Sequence, residues 1–77
     1  MKDIKVLGSG CANCKTTTAL IEQVARDKGV AVNIDKIRDM QAIIAYGVLA
    51  TPGVVVDGKV VHAGGVPQRD RIEAWLA

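Results

Sequence analysis

The chain has 77 residues, below the roughly 100–200 of an ordinary domain, so one domain over residues 1–77 is expected and a second is excluded. Apolar residues make up 49% but aromatics only 3%, with no Phe, so the core must be built from Val, Ile, Leu and Ala around Tyr46 and Trp75. Ten basic residues against eight acidic give a net charge of +2, scattered without a stripe. With hardly any aromatics to stack on bases, that pattern argues against nucleic-acid binding.

The longest uncharged stretch, Met40 to Val56, is interrupted by Gly47, Thr51, Pro52 and Gly53 and does not suit a membrane helix of ~20 residues. Met1-Lys2-Asp3 runs directly into an alternating segment with no apolar leader, so a cytoplasmic location is expected. A chain this small buries only about 60–65% of its unfolded surface and has a thin core. Its two cysteines, Cys11 and Cys14, are a poor staple. Closing so short a ring contributes roughly 2 kcal/mol before strain. In a reducing cytosol such a pair is more often catalytic or metal-binding than structural.

In chain order, Ile4 and Val6 alternate with Lys5 and Leu7, predicting a first strand over about 2–8, broken by Gly8-Ser9-Gly10. A helix fits 12–28, with Leu20, Ile21, Val24 and Ala25 on one face, a Glu22–Arg26 pair, and Gly29 just past its end. Thr16-Thr17-Thr18 is weakly helical, so packing must hold that turn. Val30, Val32 and Ile34 alternate with Ala31, Asn33 and Asp35 and predict a second strand. Asp39 caps a short helix over about 40–46, stopped by Gly47.

Pro52 opens a strand, Gly53-Val54-Val55-Val56, apolar on both faces and therefore central. Asp57-Gly58 is a two-residue hairpin turn, Lys59 to Ala63 returns antiparallel, and Gly64-Gly65 ends the hairpin. Pro67 suits the first turn of a last helix carrying Ile72, Trp75 and Leu76 on one face. The order β-α-β-α-β-β-α describes an α/β fold, a four-stranded mixed sheet with three helices whose first two strands run parallel.

Cys11-Ala12-Asn13-Cys14 falls where the first strand's loop enters the first helix. Unsatisfied N–H groups and the positive end of the helix there stabilise a thiolate, lowering the Cys11 pKa from about 8.5. Cys14 lies one turn in, on the same side. Cys11 is thus the expected nucleophile and Cys14 the resolving thiol, releasing reduced substrate by attack on the mixed disulfide. Lys15 adds a positive charge, and Asn13 is placed to tune the sulfur's hydrogen bonding or simply to sit exposed at the helix start.

The competing interpretation is metal binding. A closed zinc site wants four ligands, and the chain offers two Cys, one His (His62) and carboxylates, leaving a site shared across a dimer or a two-thiolate Cu(I) site. Metal-chaperone domains carry CxxC after a first strand, but the residue two before Cys11 is Ser9 rather than Met, and residues 68–76 read as helix rather than strand. Pro52 is either a plain strand opener or a cis proline facing the cysteines, with Thr51 presenting backbone groups to a peptide. His62 is expected to satisfy a local partner, and Lys5 to be solvated.

With Cys11-Ala12-Asn13-Cys14, Tyr46-Gly47-Val48 six residues before Pro52, Thr51-Pro52, and Val54-Val55-Val56-Asp57-Gly58-Lys59-Val60-Val61 followed by Gly64-Gly65, the chain resembles the thioredoxin superfamily over its whole length. It is most similar to the small glutaredoxin-like proteins called redox-active disulfide protein 2. The resemblance implies a minimal thioredoxin fold without the extra N-terminal strand and helix. It implies disulfide reductase chemistry on protein substrates with a dedicated reductase as electron donor, and neither cofactor nor metal. It further implies Cys11 as attacking and Cys14 as resolving thiol, and Thr51 and Pro52 as the substrate-docking bond with Gly64 and Gly65 beside them. Beside the pair, Ala12, Asn13 and Lys15 are expected to tune it.

There are departures. Gly10 stands in place of the usual Trp, Ala12-Asn13 in place of Gly-Pro, and Lys5 at the position of the buried acid, leaving no assigned proton acceptor for Cys14. The glutaredoxin Pro-Tyr between the cysteines is absent, and Gly8 occupies the place of the glutaredoxin Lys, which argues against glutathione.

Overall fold

Four strands and three helices follow one another as β1 (Lys2–Leu7), α1 (Ala12–Lys28), β2 (Val32–Ile37), α2 (Met40–Ala45), β3 (Gly53–Val56), β4 (Lys59–Ala63) and α3 (Arg69–Trp75) in the structure, a computed structural model. It describes residues 2–8 and 11–77. Ser9 and Gly10, predicted to break the chain after β1, lie outside the described residues. The sheet order is β2-β1-β3-β4. β1 pairs parallel with β2, Lys2 opposite Val32 through Leu7 opposite Ile37, and antiparallel with β3, Ile4 opposite Val56 through Leu7 opposite Gly53. This is the predicted β-α-β-α-β-β-α mixed sheet, with the all-apolar β3 in the interior and buried at every position.

Period-two alternation sorts the strands' side chains onto two faces. Ile4, Val6, Val54 and Val56 meet Ile21, Val24 and Ala25 of α1, with Ile72 and Leu76 from the α3 end. On the opposite face Leu7 and Val55 meet Ile43 of α2 and Val48, with Ile37 and Tyr46 at the margin. Trp75 is only half-buried at the border of the larger cluster, its ring 6.1 Å from that of His62.

Helix α1 spans the predicted residues, and its threonine turn has a local explanation beyond packing. The hydroxyls of Thr16, Thr17 and Thr18 donate back to the carbonyls of Ala12, Asn13 and Cys14 at 3.0, 2.8 and 3.1 Å, so the two buried threonines carry no unpaired hydroxyl. The Glu22–Arg26 pair does not form. Gln23 instead donates to Asp27, and Arg69 of α3 reaches the same carboxylate at 2.7 Å, tying the two helices together. That contact, with the Gln23 amide behind it, holds the Asp27 carboxyl below its ordinary pKa.

Two predicted boundaries shift. The second strand begins at Val32 rather than Val30, because Val30 donates its N–H to Ala25 while Gly29, at φ 67°, donates to Arg26, a C-terminal helix cap that consumes those residues. Pro67 lies one residue before the α3 cap, Gln68, instead of inside the first turn; the Gln68 carbonyl takes the N–H groups of Arg71 and Ile72. The Asp57-Gly58 turn has positive φ at both residues, 51° and 84°, as its type requires.

Candidate active site

Cys11 caps α1. Its backbone is extended and its Sγ accepts the Cys14 N–H at 3.2 Å, so sulfur fills the place a Ser or Asp oxygen takes at an ordinary helix start. Cys11 is half-exposed, whereas Cys14 is 5% exposed. The two are joined as a disulfide with Cα atoms 5.1 Å apart.

Gly8, at the end of β1, lies against both the cysteine pair and the loop before β3. A Cβ built there would sit inside the radius of Cys14 Sγ, 3.4 Å from Cys14 Cβ and 3.7 Å from Thr51 Cβ. The Thr51-Pro52 bond is cis, with Thr51 exposed and Pro52 buried. Of the two expectations for Pro52, the cis one holds. Gly64 donates its N–H to the Pro52 carbonyl at 2.9 Å, and a Cβ on Gly64 would approach Ala50 to 3.2 Å. The fold therefore brings Cys11, Cys14, Thr51, Pro52 and Gly64 to one end of the sheet, with Gly65 next in chain.

Comparison with known proteins agrees with this geometry. Residues 2–77 match the thioredoxin domain. The chain belongs to the thioredoxin family. It is 31% identical over 77 residues to a thioredoxin of Methanothermobacter thermautotrophicus, all of both chains being covered. It is 30% identical over 73 residues to a thioredoxin of Methanocaldococcus jannaschii, covering 95% of this chain and 84% of that one. The protein is a thiol–disulfide oxidoreductase whose chemistry resides in the Cys11–Cys14 pair.

For a member of the thioredoxin family, three features around the pair stand out. Lys5, at the position of the buried acid, lies on the α2 face of β1, away from Cys14. It donates to Asp3 at 3.2 Å and approaches Asp35 at 3.8 Å, and the Asp3 hydrogen bond raises its pKa. His62 meets the Gly65 carbonyl at 2.9 Å, the local partner its sequence context suggested. A pocket of about 60 Å³ opens beside Cys14, between Gly8, Thr18, Lys15 and two residues that sequence reasoning passed over, Lys36 and Arg38. Their signal was present: in β2 the positions facing α1 run Val32, Ile34, Lys36 and then Arg38, an apolar stripe that turns cationic where it reaches the cysteines. Among the described residues no group of three or more His, Cys, Asp and Glu converges as a metal site would need, and no helix is long and apolar enough to cross a membrane.

Proposed function

We propose that this protein reduces disulfides in other proteins, with Cys11 as the attacking and Cys14 as the resolving thiol. The observation that carries the assignment is the asymmetry of the pair: Cys11 is the accessible sulfur and receives an N–H from the first turn of α1, while Cys14 is buried behind it. A sulfur at a helix N-terminus has its thiolate stabilised and is the better nucleophile at neutral pH. Cys11 thiolate attacks a substrate disulfide, one substrate sulfur leaves, and a mixed disulfide forms. Cys14 then attacks Cys11 Sγ, the second substrate sulfur leaves as thiolate, and two electrons have passed from the pair to the substrate.

The exposed Thr51 beside buried Pro52 offers an edge for an extended peptide, and Gly64 and Gly65 leave the adjoining surface free of side chains. Ala12 and Asn13, both exposed, border the pair without crowding it, and Lys15 adds charge. A disulfide reductase that returns the electrons is the implied second partner, residues 1–77 act as a single unit, and the reducing cytoplasm suits such a cycle. Glutathione is the less fitting donor, since Gly8 stands against Cys14 where a glutaredoxin carries its lysine.

The test is dithiothreitol-driven reduction of insulin. A rate well above the reagent alone, abolished by Cys11→Ser, is expected, and Cys14→Ser should accumulate mixed disulfides through Cys11. A rate no greater than the reagent's would overturn the reading, and trapping through Cys14 in the Cys11→Ser protein would reverse the two roles.

A further inference from the structure

A buried resolving thiol must lose its proton before it can attack, and desolvation opposes that loss by disfavouring the charged form. A carboxylate acting as proton acceptor is one solution, and the pocket beside Cys14 does not have one. Every charged residue lining it is a cation: Lys15 from α1, Lys36 from the end of β2 and Arg38 just after it. From β1 the pocket receives Val6 and Gly8, while Lys5 with its partners Asp3 and Asp35 lies on the other face of the sheet. Thr51 approaches from the β3 side and brings no charge. Asp39, next to Arg38, does not line the pocket, and its carboxylate is occupied by the Gln41 N–H at 3.0 Å. None of Lys15, Lys36 and Arg38 takes part in an ion pair among the described residues.

We propose that Lys36 and Arg38, supported by Lys15, form an electropositive pocket that holds the Cys14 sulfur as a thiolate and so takes the part of a general base in the resolving step. The pocket is large enough to admit water, which needs only about 10–15 Å³ of such space. The Cys14 proton passes to solvent there. The thiolate left behind sits beside three cationic side chains near the protein surface, where Coulombic attraction is stronger than in bulk water. It then attacks Cys11 Sγ of the mixed disulfide. The Cys11–substrate S–S bond breaks, the departing sulfur keeps the bonding pair, and solvent protonates it. Gly8 is part of the device, since any side chain there would fill the space between the sulfur and the pocket. Lys36 and Arg38 act through Cys14 and are positioning residues.

This inference rests on the resolving role of Cys14 proposed above, but its test does not depend on turnover. In the reduced Cys11→Ser protein Cys14 is the sole thiol, and its ionisation is read from thiolate ultraviolet absorbance against pH. The apparent pKa is expected below the free-cysteine value of about 8.5 in spite of burial. Lys36→Gln with Arg38→Gln should raise it by about one unit, a tenfold fall in the thiolate-to-thiol ratio on the rising limb. The charge-conserving pair Lys36→Arg and Arg38→Lys should restore it. Raising the salt from roughly 0.01 to 1 M should move the parent toward the glutamine variant and leave that variant nearly still. Lys36 and Arg38 are exposed, so these variants should keep the parent's circular dichroism spectrum. A parent pKa above 8.5, or one unmoved by the double glutamine change in folded protein, overturns the proposal. Inverted trapping in the insulin experiment would instead overturn the order of attack and leave this titration unaltered.

Discussion

On one face of the sheet nine buried residues from β1, β3, α1 and the α3 end close a continuous core; on the other, four residues gather under α2 near the cysteine end. Helix length explains the disparity. The 17 residues of α1 run about 26 Å and cover the sheet from end to end, whereas the six residues of α2 reach about 9 Å against strands of about 20 Å. The part of the face that α2 leaves open carries Asp3, Lys5 and Asp35, with Lys5 reaching Asp3 at 3.2 Å and Asp35 at 3.8 Å. The difference assigns separate tasks. The α1 face holds the fold together, and the α2 face fixes the segment from Tyr46 to Gly53 that sets Thr51 and Pro52 opposite the cysteines.

The largest expected effect separates the faces directly. Ile21, fully buried in α1, should cost roughly 3–4 kcal/mol of unfolding free energy as Ile21→Ala, with insulin reduction close to normal while the protein stays folded. Ile43→Ala removes the same atoms from the smaller cluster, where the short helix is freer to settle, and should cost about 2 kcal/mol. Its specific activity should nevertheless fall roughly tenfold, because the segment it anchors sets the substrate edge. Urea unfolding followed beside insulin turnover checks both. Equal activity losses in the two variants would break the division of labour.

Gly53→Ala tests the same segment from its far end. A Cβ at Gly53 would come within 2.9 and 3.2 Å of the two Val48 methyls and 3.5 Å of Leu7 Cβ, so the buried Val48 must move and carry Leu49 to Thr51 with it. Overpacking of this kind costs about 1–3 kcal/mol. The companion change Val48→Ala in the same chain makes room for the methyl, and should recover much of both stability and activity. A Gly53→Ala protein as active as the parent would show that the segment's placement is not held from this side.

How much of this was legible in the sequence depends on the range of the interactions involved. Helix α1, the Asp57-Gly58 turn and the all-apolar β3 announce themselves through periodicity and local turn chemistry, and each appears at its predicted place. The start of β2 falls two residues later than the alternation suggests because Val30 continues the pattern of Val32 and Ile34 while its N–H is claimed by the end of α1, a cap visible only in three dimensions. At the site, the cysteines, Thr51 and Pro52 were readable from motif and spacing. Lys36 and Arg38 were not, since two cations at and just past the end of an edge strand look like solvated surface until the parallel register sets Lys36 beside Val6 and both line the pocket at the start of α1.

The smallest effects come from the exposed ion pairs, one lost in acid through Asp27 and the other lost in alkali through Lys5. Asp27, between α1 and α3, has its pKa lowered first by the Arg69 hydrogen bond and then by Gln23. A group depressed on folding contributes stability that is complete above its unfolded value, near the ordinary 3.8, and is lost as pH falls through the lower folded value. Lys5, on the open half of the α2 face, has its pKa raised by the Asp3 hydrogen bond. Its contribution is in place at neutral pH and disappears as pH rises past the ordinary 10.5 through the higher folded value. In thermal unfolding across pH, Asp27→Asn should therefore melt slightly below the parent at neutral pH, and the two curves should converge on acidification below 3.8. Lys5→Gln should show a small deficit at neutral pH that closes as pH rises through the alkaline range. Both pairs are open to solvent, so both deficits should shrink in high salt. A salt-resistant deficit at Lys5 alone would mean that the polar half of the α2 face packs as a structural element in its own right.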